Sequence, residues 1–179
     1  DAQSELVLPI IKNFNGKILK KMGDAFFVDF SSSINAIECS VEIQKALKDY
    51  NASKDSRKKL LLRIGLHIGD VFIKEDDLFG EGINVAARLE PLAEPGGICM
   101  SQAFYDSVKV KSDFSAVRVG DVALKNILSK YTIYKIPSFY AEDYIEPFSN
   151  SEPDTFQINY KIKKIKKLPP PSRNFLETS

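Results

Sequence analysis

Two short polar clusters in this sequence carry side chains suited to holding a phosphorylated ligand. One is Asp77-Leu78-Phe79-Gly80-Glu81-Gly82-Ile83-Asn84-Val85-Ala86-Ala87-Arg88. Asn84 and Arg88 lie four apart, so on a helix they share a face. That face pairs a donor–acceptor amide with a guanidinium that can fork onto phosphate. Gly80 and Gly82 let the backbone come close to a ligand just before the helix begins, and Asp77 stands at the mouth of the same place. An exposed, well-capped helix with an arginine on its wet side would use the same residues. The other cluster is Lys20-Lys21-Met22-Gly23-Asp24. There a glycine can supply the positive φ of a hairpin turn, and the aspartate is either a turn residue or an oxygen ligand for a hard cation.

Other chemistries have less to build on. The chain has one histidine, His67, so catalysis resting on an imidazole base would have to be built around that residue. Its two cysteines, Cys39 and Cys99, form no disulfide framework and no zinc-ligand spacing, and read as small buried apolar residues. Twenty-five basic and 24 acidic residues give a formal charge of +1, which argues against bulk binding to nucleic acid. No apolar run approaches the roughly 20 residues of a membrane-spanning helix, and no signal peptide is visible. The 44% hydrophobic and 27% charged content over 179 residues is that of a folded globular chain.

The elements that would position the two clusters follow from periodicity. Leu6, Val7, Ile10, Ile11 and Phe14 predict an opening amphipathic helix, closed by Asn15-Gly16. Lys17–Lys21 and Ala25–Phe30 predict a hairpin. Ser31–Ser33 offer N-caps for a long helix to about Tyr50 that buries Ala36, Cys39, Ile43, Leu47 and Tyr50. From Leu60 to Ile68 the sequence alternates, with Arg63, Gly65 and His67 on the second face, which predicts a strand. Val71–Lys74, Ile98–Ser101, Val117–Leu124 and Tyr131–Ile136 are further strands. Gly82–Leu92 and Gln102–Val108 are further helices. Helices and hairpins around one sheet predict an α+β sandwich. All nine glycines precede Asp121 and six of nine prolines lie from Pro137 onward, so residues 1–138 read as the folded domain. Residues 139–179, with the basic run Lys161–Lys167 and Pro169–Pro171, read as a linker or tail. The basic run is expected to be solvated; contact with anionic lipid is the other use for it.

Several ordered segments resemble class III nucleotidyl cyclase catalytic domains. They are Gly16-Lys-Ile-Leu-Lys-Lys-Met-Gly-Asp-Ala-Phe26, Arg63-Ile-Gly-Leu-His-Ile-Gly-Asp-Val71, Asp77 to Arg88, Leu92 to Cys99, and Val119 to Ile127. Asp77 to Arg88 matches the family pattern D-x-x-G-x-x-(V/I)-N-x-x-x-R. The resemblance covers about residues 5–137 and implies a ferredoxin-like α+β sandwich that dimerises to form nucleotide sites at its interface. Residue by residue, it implies that Asp24 is one of two metal-holding carboxylates, for two Mg²⁺ or Mn²⁺ ions per site. Lys20 and Asp77 would read the base, Asn84 would orient the ribose, Arg88 would stabilise the transferring phosphoryl group, and Lys125 would contact the terminal phosphates. The family's other metal aspartate lies on a strand before the opening helix, and the sequence begins after that point. The domain is therefore expected to lack its first strand, and this chain to be weakly active or inactive.

Lysine only donates and ionised aspartate only accepts. Lys20 with Asp77 complements the N1 acceptor and C6 amine of adenine and mismatches guanine. The implied activity is an adenylate cyclase that makes cyclic AMP from ATP in intracellular signalling, as a cytoplasmic homodimer whose parent protein can be membrane-attached. The alternative is a pseudo-cyclase that binds nucleotide and dimerises without turnover.

Overall fold

The structure, a computed structural model, describes residues 2–23, 25–55, 58–74, 77–110, 114–139 and 162–165. Helix α1 (Ala2–Asn13) leads through Asn15, at φ 57°, into a hairpin of β1 (Lys17–Met22) and β2 (Ala25–Asp29). Helix α2 (Ser33–Asn51) is capped by Ser32, whose side chain accepts from the amide of Asn35. Strand β3 (Leu61–Leu66), the ribbon β4 (Phe72–Lys74) and β5 (Asp77–Phe79), and helix α3 (Glu81–Leu89) follow. The chain continues through β6 (Ile98–Ser101), α4 (Gln102–Val108), β7 (Val117–Ala123), β8 (Lys130–Ile136) and β9 (Ile162–Ile165).

The main sheet is seven-stranded, in the order β1-β2-β9-β3-β6-β8-β7, and β4-β5 forms a separate ribbon. Only the β3–β6 pair is parallel among the described strands. The sheet is covered on both faces. On one, Phe26, Val28, Leu62, Ile64 and Met100 pack with Val7 and Ile11 of α1, Ile43 and Leu47 of α2, and Phe104 of α4. On the other, Val85 and Leu89 of α3 pack with Cys99, Leu124 and Ile133. Beside them Ile83 packs with Ala25 and Phe27. This is the expected α+β sandwich.

Polar side chains hold α2 to the sheet. Buried Gln44 donates from Nε2 to the carbonyls of Leu62 and Gly97, each at 3.1 Å. Asn51 donates from Nδ2 to Leu60 O at 2.7 Å and accepts from Leu60 N at 2.8 Å. These bonds pair backbone groups that would be costly to bury alone.

The structure departs from the sequence expectations in four places. Tyr50 is half-buried, not buried. The helix expected over Gly82–Leu92 ends at Leu89 and tightens into a 3-10 turn, Glu90–Leu92, where Pro91 removes an amide donor. The second face of β3 is as buried as the first, because α3 lies across it; a Cβ on Gly65 would sit 2.5 Å from Ala86 O. Finally, four residues of the basic run join the sheet. Strand β9 pairs antiparallel with β3 from Leu61↔Ile165 to Ile64↔Ile162, and with β2 at Phe26↔Ile162. Expected to have a strand missing, the sheet holds β9 between β2 and β3, where it pairs backbone groups that would otherwise be left open at the centre. The rest of 140–179 lies outside the described residues.

Candidate active site

Helix α3 carries the densest group of candidate residues. Its N-terminus has no side-chain cap. It is set instead by backbone, with Gly82 N donating to Asp70 O and Asn84 N to Gly80 O, both at 3.2 Å. Gly80 has φ 130°, and a Cβ there would meet Asp70 O at 2.3 Å, so the turn after β3 can lie on the helix start only if this residue has no side chain. Val85, Ala86, Ala87 and Leu89 are buried against the sheet. Glu81, Asn84 and Arg88 form the opposite stripe, with Glu81 and Asn84 exposed and Arg88 half-buried.

Arg88 Nε donates to Lys125 O at 3.0 Å. That bond draws the turn after β7, where Asn126 has φ 63°, against the end of α3. It joins two predicted site residues, 37 positions apart, and leaves the Lys125 side chain exposed beside the guanidinium's end of the helix.

Lys20 reaches the same side of the sheet by a different device. The β1–β2 register slips between Ile18 and Lys20, so Leu19 is an extra residue and Lys20 pairs with Phe27. Cross-strand partners share a face. Phe27 packs with Ile83 of α3, and Leu19 packs against the same cluster, so the bulge aims Lys20 toward the α3 side. Lys21 turns the other way, donating to Ser4 Oγ at 2.8 Å and lying 5.2 Å from the Phe26 ring centroid. Asp77 opens β5, opposite Lys74 in the ribbon that leads into α3. Asp24 lies outside the described residues.

Two connections were not foreseen from sequence. Tyr131 on β8 donates its hydroxyl to Glu81 Oε1 at 2.6 Å. The carboxylate pushes the phenol up to about 12, so it stays protonated. The Tyr131 ring also packs T-shaped with His67, with centroids 5.7 Å apart and planes at 84°, and His67 Nδ1 lies 2.8 Å from Ser101 Oγ. Aromatic and acidic residues 50 positions apart give no local signal of their meeting. His67 is thus engaged in packing and hydrogen bonding. Both cysteines are buried, which pushes their thiols up to about 12.

A cavity of about 240 Å³ opens beside Asp29, Ser31, His67, Gly69 and Gly82, at the ends of β2 and β3; among the described side chains, those of Lys20, Asn84, Arg88 and Lys125 are not in its lining. On the β4–β5 ribbon Phe72, Ile73 and Phe79 are 63%, 59% and 51% exposed. Among the described residues no three His, Cys, Asp or Glu side chains stand together as an ion cage. Among them, too, no helix is long and apolar enough to cross a membrane.

Comparison with known proteins identifies the family and the fold. The profile of the adenylate and guanylate cyclase catalytic domain matches residues 9–138. A Rhizobium meliloti protein named "Putative adenylate cyclase 3" is 37% identical over 123 residues, which is 69% of this chain and 21% of that protein. The chain therefore spans about a fifth of the length of that relative. The crystal structure of an adenylate/guanylate cyclase/hydrolase from Silicibacter pomeroyi is similar over 75% of this chain and 78% of that one, with TM-score 0.71 and 31% identity. The adenylyl cyclase CyaB of P. aeruginosa, at 22% identity, shares the fold with TM-score 0.59 over 75% of this chain and 78% of that one.

Proposed function

This chain belongs to the adenylate and guanylate cyclase catalytic domain family, and on that premise we propose that it is an adenylate cyclase domain converting ATP to cyclic AMP and pyrophosphate. The observation that carries the proposal is the bond from Arg88 Nε to the Lys125 carbonyl, which brings the backbone of Lys125 against the helix that presents Asn84 and Arg88.

In this reading Asn84 orients the ribose through its amide. Arg88 donates to the non-bridging oxygens of the α-phosphate as charge builds there, and Lys125 holds the terminal phosphates. The ribose 3′-hydroxyl gives up its proton to water as its oxygen attacks the α-phosphorus, and the bond from that phosphorus to the α,β-bridging oxygen breaks to release pyrophosphate. Lys20 donates to adenine N1 and Asp77 accepts from the C6 amine. The cofactor is Mg²⁺ or Mn²⁺, which would neutralise charge on the leaving pyrophosphate. Asp24 is the one ligand the sequence offers for it. The described residues supply no complete ion site.

The chain works as a homodimer. The exposed apolar residues of the β4–β5 ribbon suit a second copy of the chain. It acts on the cytoplasmic nucleotide pool, in signalling. Turnover by this chain is expected to be slow, since only one of the two metal carboxylates implied by the family resemblance lies in the sequence.

The test is cyclic nucleotide production by the purified chain with ATP or GTP, in Mg²⁺ or Mn²⁺. The expected result is slow cyclic AMP formation that strongly favours ATP. The double variant Lys20→Glu with Asp77→Ser, which accepts where guanine donates and donates where it accepts, should shift preference toward GTP by at least about tenfold. Unchanged preference would show that the base is read elsewhere. Tight ATP binding with no cyclic product under any ion would favour the pseudo-cyclase.

A further inference from the structure

Helix α3 has nine residues and no side-chain cap, yet it carries Asn84 and Arg88. Its last turn is held to the sheet's far side by Arg88 and the Lys125 carbonyl. Its first turn is held at the equivalent place by Glu81, the acceptor of the Tyr131 hydroxyl at 2.6 Å. Both contacts run to the β7–β8 hairpin, so the polar stripe of α3 is fastened to one neighbour at each end, with Asn84 between.

The donor of the first contact is itself held in place. Tyr131 is half-buried against the core cluster of Val85, Leu89 and Ile133. Its ring packs T-shaped with His67, which is in turn held by Ser101, the N-cap of α4. A hydroxyl on a fixed ring loses little rotamer freedom when it bonds, so more of the bond's strength is felt at Glu81.

We infer that Tyr131 and Glu81 are positioning residues, a tether that fixes the first turn of α3 and so sets the placement of Asn84 and Arg88. The inference rests on the reading of those two side chains as the groups that hold the nucleotide. Neither tether residue touches the reacting atoms in this account. Tyr131→Phe removes only the hydroxyl and keeps the ring on His67. Glu81→Gln keeps an oxygen acceptor, and Glu81→Ala removes it.

The experiment is amide hydrogen exchange of the full chain, with cyclic AMP kinetics in parallel. Exchange at Gly82–Val85 should rise about five- to tenfold in Tyr131→Phe and Glu81→Ala, and stay within about twofold of the parent in Glu81→Gln. The double variant Tyr131→Phe with Glu81→Ala should be no worse than either single, as for one shared bond. In turnover, kcat should fall about five- to tenfold with KM nearly unchanged, since the tether affects groups that act in the transition state. Unchanged exchange in Tyr131→Phe and Glu81→Ala overturns the tether. Altered exchange with kcat unchanged overturns its role in placement. A parent chain that makes no cyclic nucleotide counts against the cyclase reading alone, because exchange still reports the tether.

Discussion

Arg88 does two jobs with one planar group. Its Nε–H anchors the turn at Lys125, and the remaining donors of a guanidinium can fork onto phosphate, which an ammonium cannot do. Replacing Arg88 by alanine is therefore expected to lower kcat by about 10²–10³. Circular dichroism should find the melting temperature within a few degrees of the parent, since the lost bond lies at an exposed site. The buried thiols make a separate prediction. Folding pushes Cys39 and Cys99 up from 9.0 to about 12, and Tyr131 from 10.0 to about 12. Between those values the unfolded chain has lost protons that the folded chain still holds, so stability falls as pH rises through that window. Urea midpoints measured from pH 8 to 11 should stay level to about 9 and then decline, with a shallower decline in Cys39→Ala.

At the scale of elements, the start of α3 is held by close backbone approaches at Gly80 and Gly82. Gly80→Ala must put a Cβ against Asp70 O from a backbone at φ 130°. Such a strained position costs about 1–3 kcal/mol. A thermal melt should show a fall of roughly 4–10 °C, and an unaltered melting temperature would mean the turn can relax. Much of this level could be read from the sequence. The 3.6-residue period of α2 sets its burial, apart from Tyr50, which lies one residue from the helix end, and the two-residue alternation of β3 marks it as a strand. The Asn84–Arg88 spacing likewise places both on the polar stripe of α3. The Leu19 bulge could not be read that way, because a slip in pairing depends on both strands and leaves no mark on either alone. Nor could the burial of Arg63: alternation shows that a strand has two faces, not that a helix lies over the second. Gly65 was the available signal, a residue without a side chain where α3 crosses.

At the scale of the whole molecule, the basic run looked like a solvated tail because lysines outnumber isoleucines and its partners are distant in sequence. The sheet uses it as a central strand. Removing residues 140–179 should expose the backbone of Leu61–Ile64, whose side chains are all buried. Hydrogen exchange should then find these amides deprotected, and the melting temperature should drop by at least about 5 °C; retained protection would show that another segment fills the gap. The position of β9 has a consequence for biosynthesis. Phe26 must wait for Ile162, so the β1–β2 hairpin and the strands from β3 onward cannot be zipped together until β9 has left the ribosome. Until then the nascent chain carries two sticky interior edges, a high-contact-order path on which slow folding and chaperone dependence are to be expected.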